Sequence, residues 1–146
     1  KGFIDKFMGD AIFAIFLSPT PAIECGIAMQ TATSQLNVDI TAGGSAQIIS
    51  IGIGIHHASV SVGFLGDSGR VTCTLVSSQV NIASRLNGLT KHFGVSILVS
   101  DAAFRHVSHD EHSFDHRHIG SILPKGATKL IGIVEVFQTD DLQLKE

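Results

Sequence analysis

Residues 48–55 read Ile48-Ile49-Ser50-Ile51-Gly52-Ile53-Gly54-Ile55. Isoleucine recurs at 49, 51, 53 and 55 with only serine and glycine between. A period of two predicts a strand, because successive side chains leave a strand on opposite faces. The residues between are so small that either another element packs closely on that face or the backbone bends. Upstream, Phe3 to Phe7 and Ala11 to Leu17 are two apolar, β-compatible runs separated by Met8-Gly9-Asp10, which predicts a hairpin. Ser18-Pro19-Thr20-Pro21 stops the second strand, with Thr20 as cap and Pro21 opening a helix whose stripe of Ile23, Ile27, Ala28 and Leu36 runs to about Asn37. Thr41 to Ala46 reads as a loop.

Downstream, Val60-Ser61-Val62 resumes the alternation and Gly63 to Gly69 reads as a turn-rich break before a strand over Val71 to Val76. From Gln79 to about His92 the pattern is helical, with Val80, Ala83, Leu86 and Leu89/Thr90 inward and Gly94 as the stop. Ser96 to Val99 is a short strand, and Ser100-Asp101 caps a short helix to about His106. A polar, histidine-rich loop over 107–113 leads to strands near 114–123 and over Ile131 to Phe137, with a break at Pro124-Lys125-Gly126. The order β-β-α-β-β-α-β-α-β-β predicts an α+β fold: a ferredoxin-like sandwich, mostly antiparallel, with helices packed on one face. One domain is expected over residues 1–138, followed by a polar tail over 139–146. The abrupt start at Lys1-Gly2-Phe3 suggests a fragment lacking its upstream part.

The chain has 146 residues, and 10 Lys+Arg against 13 Asp+Glu give a net charge of −3. That balance gives no footing for sequence-independent nucleic-acid binding. The longest apolar run, Ala11 to Leu17, falls far short of the ~20 residues that cross a bilayer. Cys25 and Cys73 are too few for a disulfide framework and lack metal-ligand spacing, which suggests a reducing compartment; a cytoplasmic setting is expected, with a membrane reached only through segments outside this chain.

Asn81 and Arg85 lie four apart on one face of the predicted helix. Arginine's planar fork suits phosphate and an amide can orient a sugar, although a solvated helix face carries the same pair. Lys6, Gly9 and Asp10 surround the hairpin turn. A carboxylate there can hold Mg²⁺, and turns also favour aspartate for local hydrogen bonding. Gly52-Ile53-Gly54-Ile55-His56-His57-Ala58 matches the relaxed dinucleotide pattern GxGxxA, but its glycines fall inside a strand and no helix follows to receive a pyrophosphate. The histidines at 106, 109, 112, 116 and 118 could bind Zn²⁺ or Ni²⁺ adventitiously, and a solvated surface is the simpler reading.

Three stretches together resemble the catalytic domain of class III nucleotidyl cyclases, the adenylyl/guanylyl cyclase family. Lys6-Phe7-Met8-Gly9-Asp10 with Ala14 is similar to the family's K-x-x-G-D-x-x-x-A hairpin. Ile51-Gly52-Ile53-Gly54-Ile55-His56 is similar to its I-G-I-H strand, followed by Val60-Ser61-Val62-Gly63-Phe64-Leu65-Gly66 where the family has V-x-x-G-x-x-G. Val80-Asn81-Ile82-Ala83-Ser84-Arg85-Leu86 nearly repeats V-N-x-A-S-R-L. The resemblance implies an adenylyl cyclase that converts ATP to 3′,5′-cyclic AMP and pyrophosphate for intracellular signalling. It further implies a homodimer with active sites at the interface, and two Mg²⁺ or Mn²⁺ ions in the complete domain.

Carried over by position, Asp10 is a metal ligand, Lys6 and Thr74 bind the purine, Asn81 orients the ribose and Arg85 stabilises charge on the transferring phosphate. Lysine with threonine goes with ATP in this family; glutamate with cysteine goes with GTP. A second metal aspartate belongs to a strand with no counterpart here, and the family's first strand and helices are likewise missing. The chain also has Ser77-Ser78-Gln79 where the family has Gly-Asp before V-N, His56-His57-Ala58 for H-T-G, and Ala127 where a triphosphate-gripping lysine is usual; Lys125 or Lys129 could substitute. These departures keep open a degenerate nucleotide-binding or dimerisation module, and a guanylyl cyclase is a further alternative.

Overall fold

The structure is a computed structural model. It describes residues 2–67, 70–76, 78–107, 114–124 and 129–137, with 61–67, 70–76 and 78 as backbone only. The expected loop over 107–113, the break at Lys125-Gly126, Ala127 and the tail fall largely or wholly outside the described residues.

Strands β1 (Gly2–Met8) and β2 (Ala11–Phe16) form the expected antiparallel hairpin, closed by the Met8–Ala11 pair. Gly9 takes φ +65°, the left-handed conformation that a two-residue hairpin turn needs and glycine adopts cheaply. Helix α1 covers Pro19–Ala42. Ser18, in extended conformation, stands at its N-cap position and Pro19 opens it, so the start lies two residues before the expected Thr20 and Pro21, and Thr20 is buried. The helix also outruns the expected end at Asn37 and takes in Thr41 and Ala42. Thr41 returns its hydroxyl to the Asn37 carbonyl (2.8 Å), and Gly43 and Gly44 then turn the chain.

Strand β3 is only Ile53–Ile55, shorter than the expected 48–55. It pairs in parallel with β6 (Ile97–Ser100), whose first residue meets Ile53, so no ladder exists further upstream. Backbone groups before β3 are satisfied by side-chain amides instead. Asn37 donates to the Ile49 carbonyl (2.7 Å) and accepts from the Ile49 N–H (2.8 Å), while Gln30 donates to the Ile51 carbonyl (2.9 Å).

The expected break at 63–69 instead contains most of β4 (Ser61–Asp67), paired antiparallel with β5 (Arg70–Val76) from Ser61–Val76 to Asp67–Arg70. Glycines at 63 and 66 suggested turns, but a continuous partner strand stabilises the extended backbone. Helix α2 spans Ser78–Phe93 and ends at Gly94, φ +66°. A single turn, α3 (Asp101–Phe104), is capped by Ser100, whose side chain accepts the Ala103 N–H. Strands β7 (Asp115–Ile122) and β8 (Ile131–Phe137) follow, and the main sheet runs β3-β6-β8-β7.

The α+β class and the mostly antiparallel pairing are as expected. The helices, however, take both faces of the main sheet. Ile97, Val99, Val134 and Val136 pack with Ile23 of α1 and with Ala103 and Phe104 of α3. Leu98 and Ile133 face the other way, against Ile82 and Leu86 of α2. Every residue of β6 is buried, and a strand apolar on both sides requires cover on both sides.

Candidate active site

The glycines of β3 place α2. A Cβ on Gly54 would stand 2.3 Å from the Ala83 carbonyl oxygen and 2.3 Å from the Asn87 nitrogen; one on Gly52 would overlap the Thr90 hydroxyl. The helix backbone therefore lies directly on the strand, as the small residues between the isoleucines predicted, and the dinucleotide reading of these glycines has no support in the geometry. Burying Ile82, Leu86 and Thr90 turns the opposite face of α2 outward. Asn81 and Arg85 share that outward face, both exposed. Arg85 makes no ion pair among the described residues, and its donor fork has the shape that suits an anion.

Lys6 and Asp10 share the other assembly, the β1–β2 hairpin. The register slips between Ile4 and Lys6, leaving Asp5 as an extra residue without a partner. Such a bulge re-aims the neighbouring side chain. Lys6 pairs across the hairpin with Phe13, holds its ammonium 5.9 Å from that ring's centroid and 3.2 Å from Asp5 Oδ2, and stays partly exposed. Asp10 sits exposed in the turn beside Gly9. Thr74 lies on a third unit, in β5 opposite Gly63. The five residues singled out by sequence thus occupy two hairpins and one helix. The structure unites Lys6 with Asp10 and Asn81 with Arg85, and it keeps the two pairs on separate elements.

Asp10 offers one hard oxygen donor, and no group of three or more His, Cys, Asp or Glu gathers among the described residues. One carboxylate fits a magnesium-type ion that takes its other oxygens from water and from substrate phosphates. Among the described residues the histidines do not gather into one cluster. His57 stacks on His106 at 4.5 Å, His116 packs on Phe104 at 4.4 Å, and His109 and His112 are outside the described residues. Burial first, then His106 and His56, hold the His57 imidazole below its ordinary pKa. Sequence reasoning quoted His56 without giving it a role; the structure shows it bonded to Ser100 and to Gln79.

The sequence model of the family described as the adenylate and guanylate cyclase catalytic domain matches residues 6–136. The chain belongs to that family. An adenylate cyclase of Anabaena cylindrica is 40% identical over 141 residues, 92% of this chain and 28% of that protein. The terminal-differentiation-specific adenylate cyclase of Dictyostelium discoideum is 30% identical across 92% of this chain and 6% of its own length. The chain therefore spans less than a third of these relatives. Among solved structures, the adenylyl cyclase CyaB from P. aeruginosa superposes with a TM-score of 0.78 at 27% identity, over 94% of this chain and 72% of that one. A crystallised guanylyl cyclase gives 0.72 at 30% identity, over 92% and 69%. These likenesses make the 146 residues a nucleotide cyclase type of catalytic domain, in a family that uses nucleoside triphosphates and divalent ions and typically works as a dimer.

Proposed function

We propose that the protein carrying this domain converts ATP to 3′,5′-cyclic AMP and pyrophosphate. The observation that carries this reading is the exposed Arg85, with no ion pair among the described residues, beside Asn81 on the outward face of a helix clamped to β3, in a chain 40% identical to an adenylate cyclase. In the reaction the ribose 3′-oxygen attacks the α-phosphorus in line. The new O–P bond forms as the bond to the pyrophosphate oxygen breaks, and the 3′-hydroxyl proton is released. Arg85 places fixed positive charge where negative charge grows on the phosphoryl oxygens, and Asn81 holds the ribose. Lys6 donates to an acceptor on the adenine, with Thr74 as its partner. A divalent ion, Mg²⁺ or Mn²⁺, held by Asp10, would lower the cost of the 3′-alkoxide and steady the leaving pyrophosphate.

The distribution of these residues over separate elements supports a homodimer in which Arg85 of one copy faces Asp10 of the other across the triphosphate. The large exposed apolar side chains around Lys6 and Asp10, among them Phe3 and Phe7, suit such an interface. The exposed thiol of Cys25, free of any disulfide, supports a cytoplasmic setting.

The test supplies ATP and Mn²⁺ to the intact natural polypeptide that carries these residues, at protein concentrations that favour the dimer. Cyclic AMP from ATP and little product from GTP are expected. No cyclic nucleotide would reject the enzyme reading in favour of a binding module. Lys6→Glu with Thr74→Cys should lose the preference for ATP, and an unchanged preference would show that these positions do not read the base.

A further inference from the structure

Helix α2 is held to the β3 segment at two points, and the residues proposed to meet the nucleotide lie between them. At one point Asn87 Nδ2 donates to the Gly52 carbonyl (2.6 Å). At the other, His56 Nε2 and Gln79 Oε1 are 3.0 Å apart. The spans agree. Gly52 to His56 is four residues of extended chain, roughly 13 Å. Gln79 to Asn87 is eight residues of helix, roughly 12 Å. Gly54, midway along the strand, is where the Ala83–Asn87 turn of the helix rests. Asn81 and Arg85 fall inside this interval, so two pins fix both the slide and the rotation of the segment that presents them.

The hydrogen bonds at His56 form a directed chain. An amide oxygen only accepts, so His56 donates through Nε2–H to Gln79. Its Nδ1 is then an acceptor, and it receives the hydroxyl proton of Ser100 at 2.8 Å. Ser100, fully buried, accepts the Ala103 N–H in turn (3.2 Å) as the cap of α3. One neutral tautomer satisfies every partner and joins β3, the end of β6, α3 and the first turn of α2.

We propose that His56 is a positioning residue: through Gln79 it fixes the first turns of α2 so that Asn81 and Arg85 meet the nucleotide in register. The inference rests on the cyclase reading for its consequence in turnover and on the geometry alone for the pin itself. His56→Ala and Gln79→Ala should each lower kcat on the order of ten- to a hundredfold, as small misplacements of reacting groups do, while KM for ATP stays within about twofold. The double variant should lose less than the sum of the two single losses, because the His56–Gln79 bond is common to both. His56→Gln, long enough to reach Gln79 with an amide donor, should recover part of the loss.

An activity-free readout separates the two readings. Amide hydrogen exchange at residues 80–85 should accelerate in both single variants, while residues 89–93, beyond the Asn87 pin, keep wild-type rates. Gln79, at the partly exposed start of the helix, supplies the variant that folds if His56→Ala does not. Unchanged exchange at 80–85, or losses in kcat that add, would overturn the proposal. A wild-type protein that makes no cyclic nucleotide but shows the exchange pattern would retain the pin and reject the cyclase reading.

Discussion

Strand β6 and the β1–β2 hairpin are both rich in apolar residues, and they end in opposite environments. Leu98 and Val99 are fully buried, while Phe3 and Phe7 are 61% and 68% exposed. The difference lies in the neighbours. β6 has β3 on one edge and β8 on the other, with α1 and α3 over one face and α2 over the second. Among the described residues the hairpin pairs only with itself and touches the rest of the fold mainly through α1 against β2. A two-stranded ribbon is marginal on its own, so exposed aromatic residues on one mark a surface that gains from being covered. In the proposed dimer the enclosed region presents Arg85 and Asn81 rigidly, and the hairpin brings Lys6 and Asp10 to the seam.

A glycine replacement in each region sets the contrast at its largest. Gly54→Ala drives a Cβ into helix backbone that has no way to give except by moving α2. A loss of about 3 kcal/mol or more in unfolding free energy is expected by denaturant titration, with collapse of activity. Gly9→Ala meets nothing within 4 Å and bears only the strain of φ +65°, about 1 kcal/mol. Equal losses would mean that the strand–helix contact is no tighter than the hairpin turn.

The next effect concerns a charge at the sheet's surface. Glu135 of β8 is 1% exposed and ion-pairs with Arg117, its cross-strand neighbour on β7. Removing the guanidinium takes a charged partner from a buried carboxylate, although the arginine is itself half exposed. Arg117→Ala should cost about 2 kcal/mol, and Arg117→Lys appreciably less. A loss below about 0.5 kcal/mol would show that the sheet does not depend on the pair.

Phe7→Ser probes the hairpin in the same terms. Its effect on the unfolding of the monomer should stay within about 0.5 kcal/mol, since little of the ring is buried there. Self-association, measured by sedimentation, should weaken. Unaltered association would take Phe7 out of the interface.

Much of this was legible in the sequence, for identifiable reasons. The alternation over 49–55 and the small residues within it announced both a strand and a close neighbour, because both follow from local geometry. The Asn81–Arg85 face followed from helical spacing. The α+β class followed from the order of elements. What escaped depends on partners distant in the chain. β3 ends where β6 ceases to oppose it, and Asn37 and Gln30 serve the backbone that a longer strand would have satisfied. β4 persists through two glycines because β5 lies beside it. Helices cover both faces because Ile53 and Gly54 point in opposite directions and each meets a helix, a fact that periodicity alone does not contain.

The smallest expected effect belongs to the His57–His106 stack, which ties the segment after β3 to the end of α3. Partial burial, His106 and His56 all disfavour the charged form of His57 in the folded protein. The unfolded chain protonates this side chain near its ordinary value of about 6.5, whereas the folded chain resists to lower pH. Between those two values the unfolded state binds more protons, so stability falls as pH drops through that window and is complete above it. His57→Gln removes the titration while keeping a polar group of similar reach. Stability curves of wild type and variant, taken from about pH 7.5 to about 5, should therefore diverge on acidification, with the variant losing less. Parallel curves would show that the stack tolerates two charges, and that this connection between β3 and α3 is as loosely coupled as the hairpin.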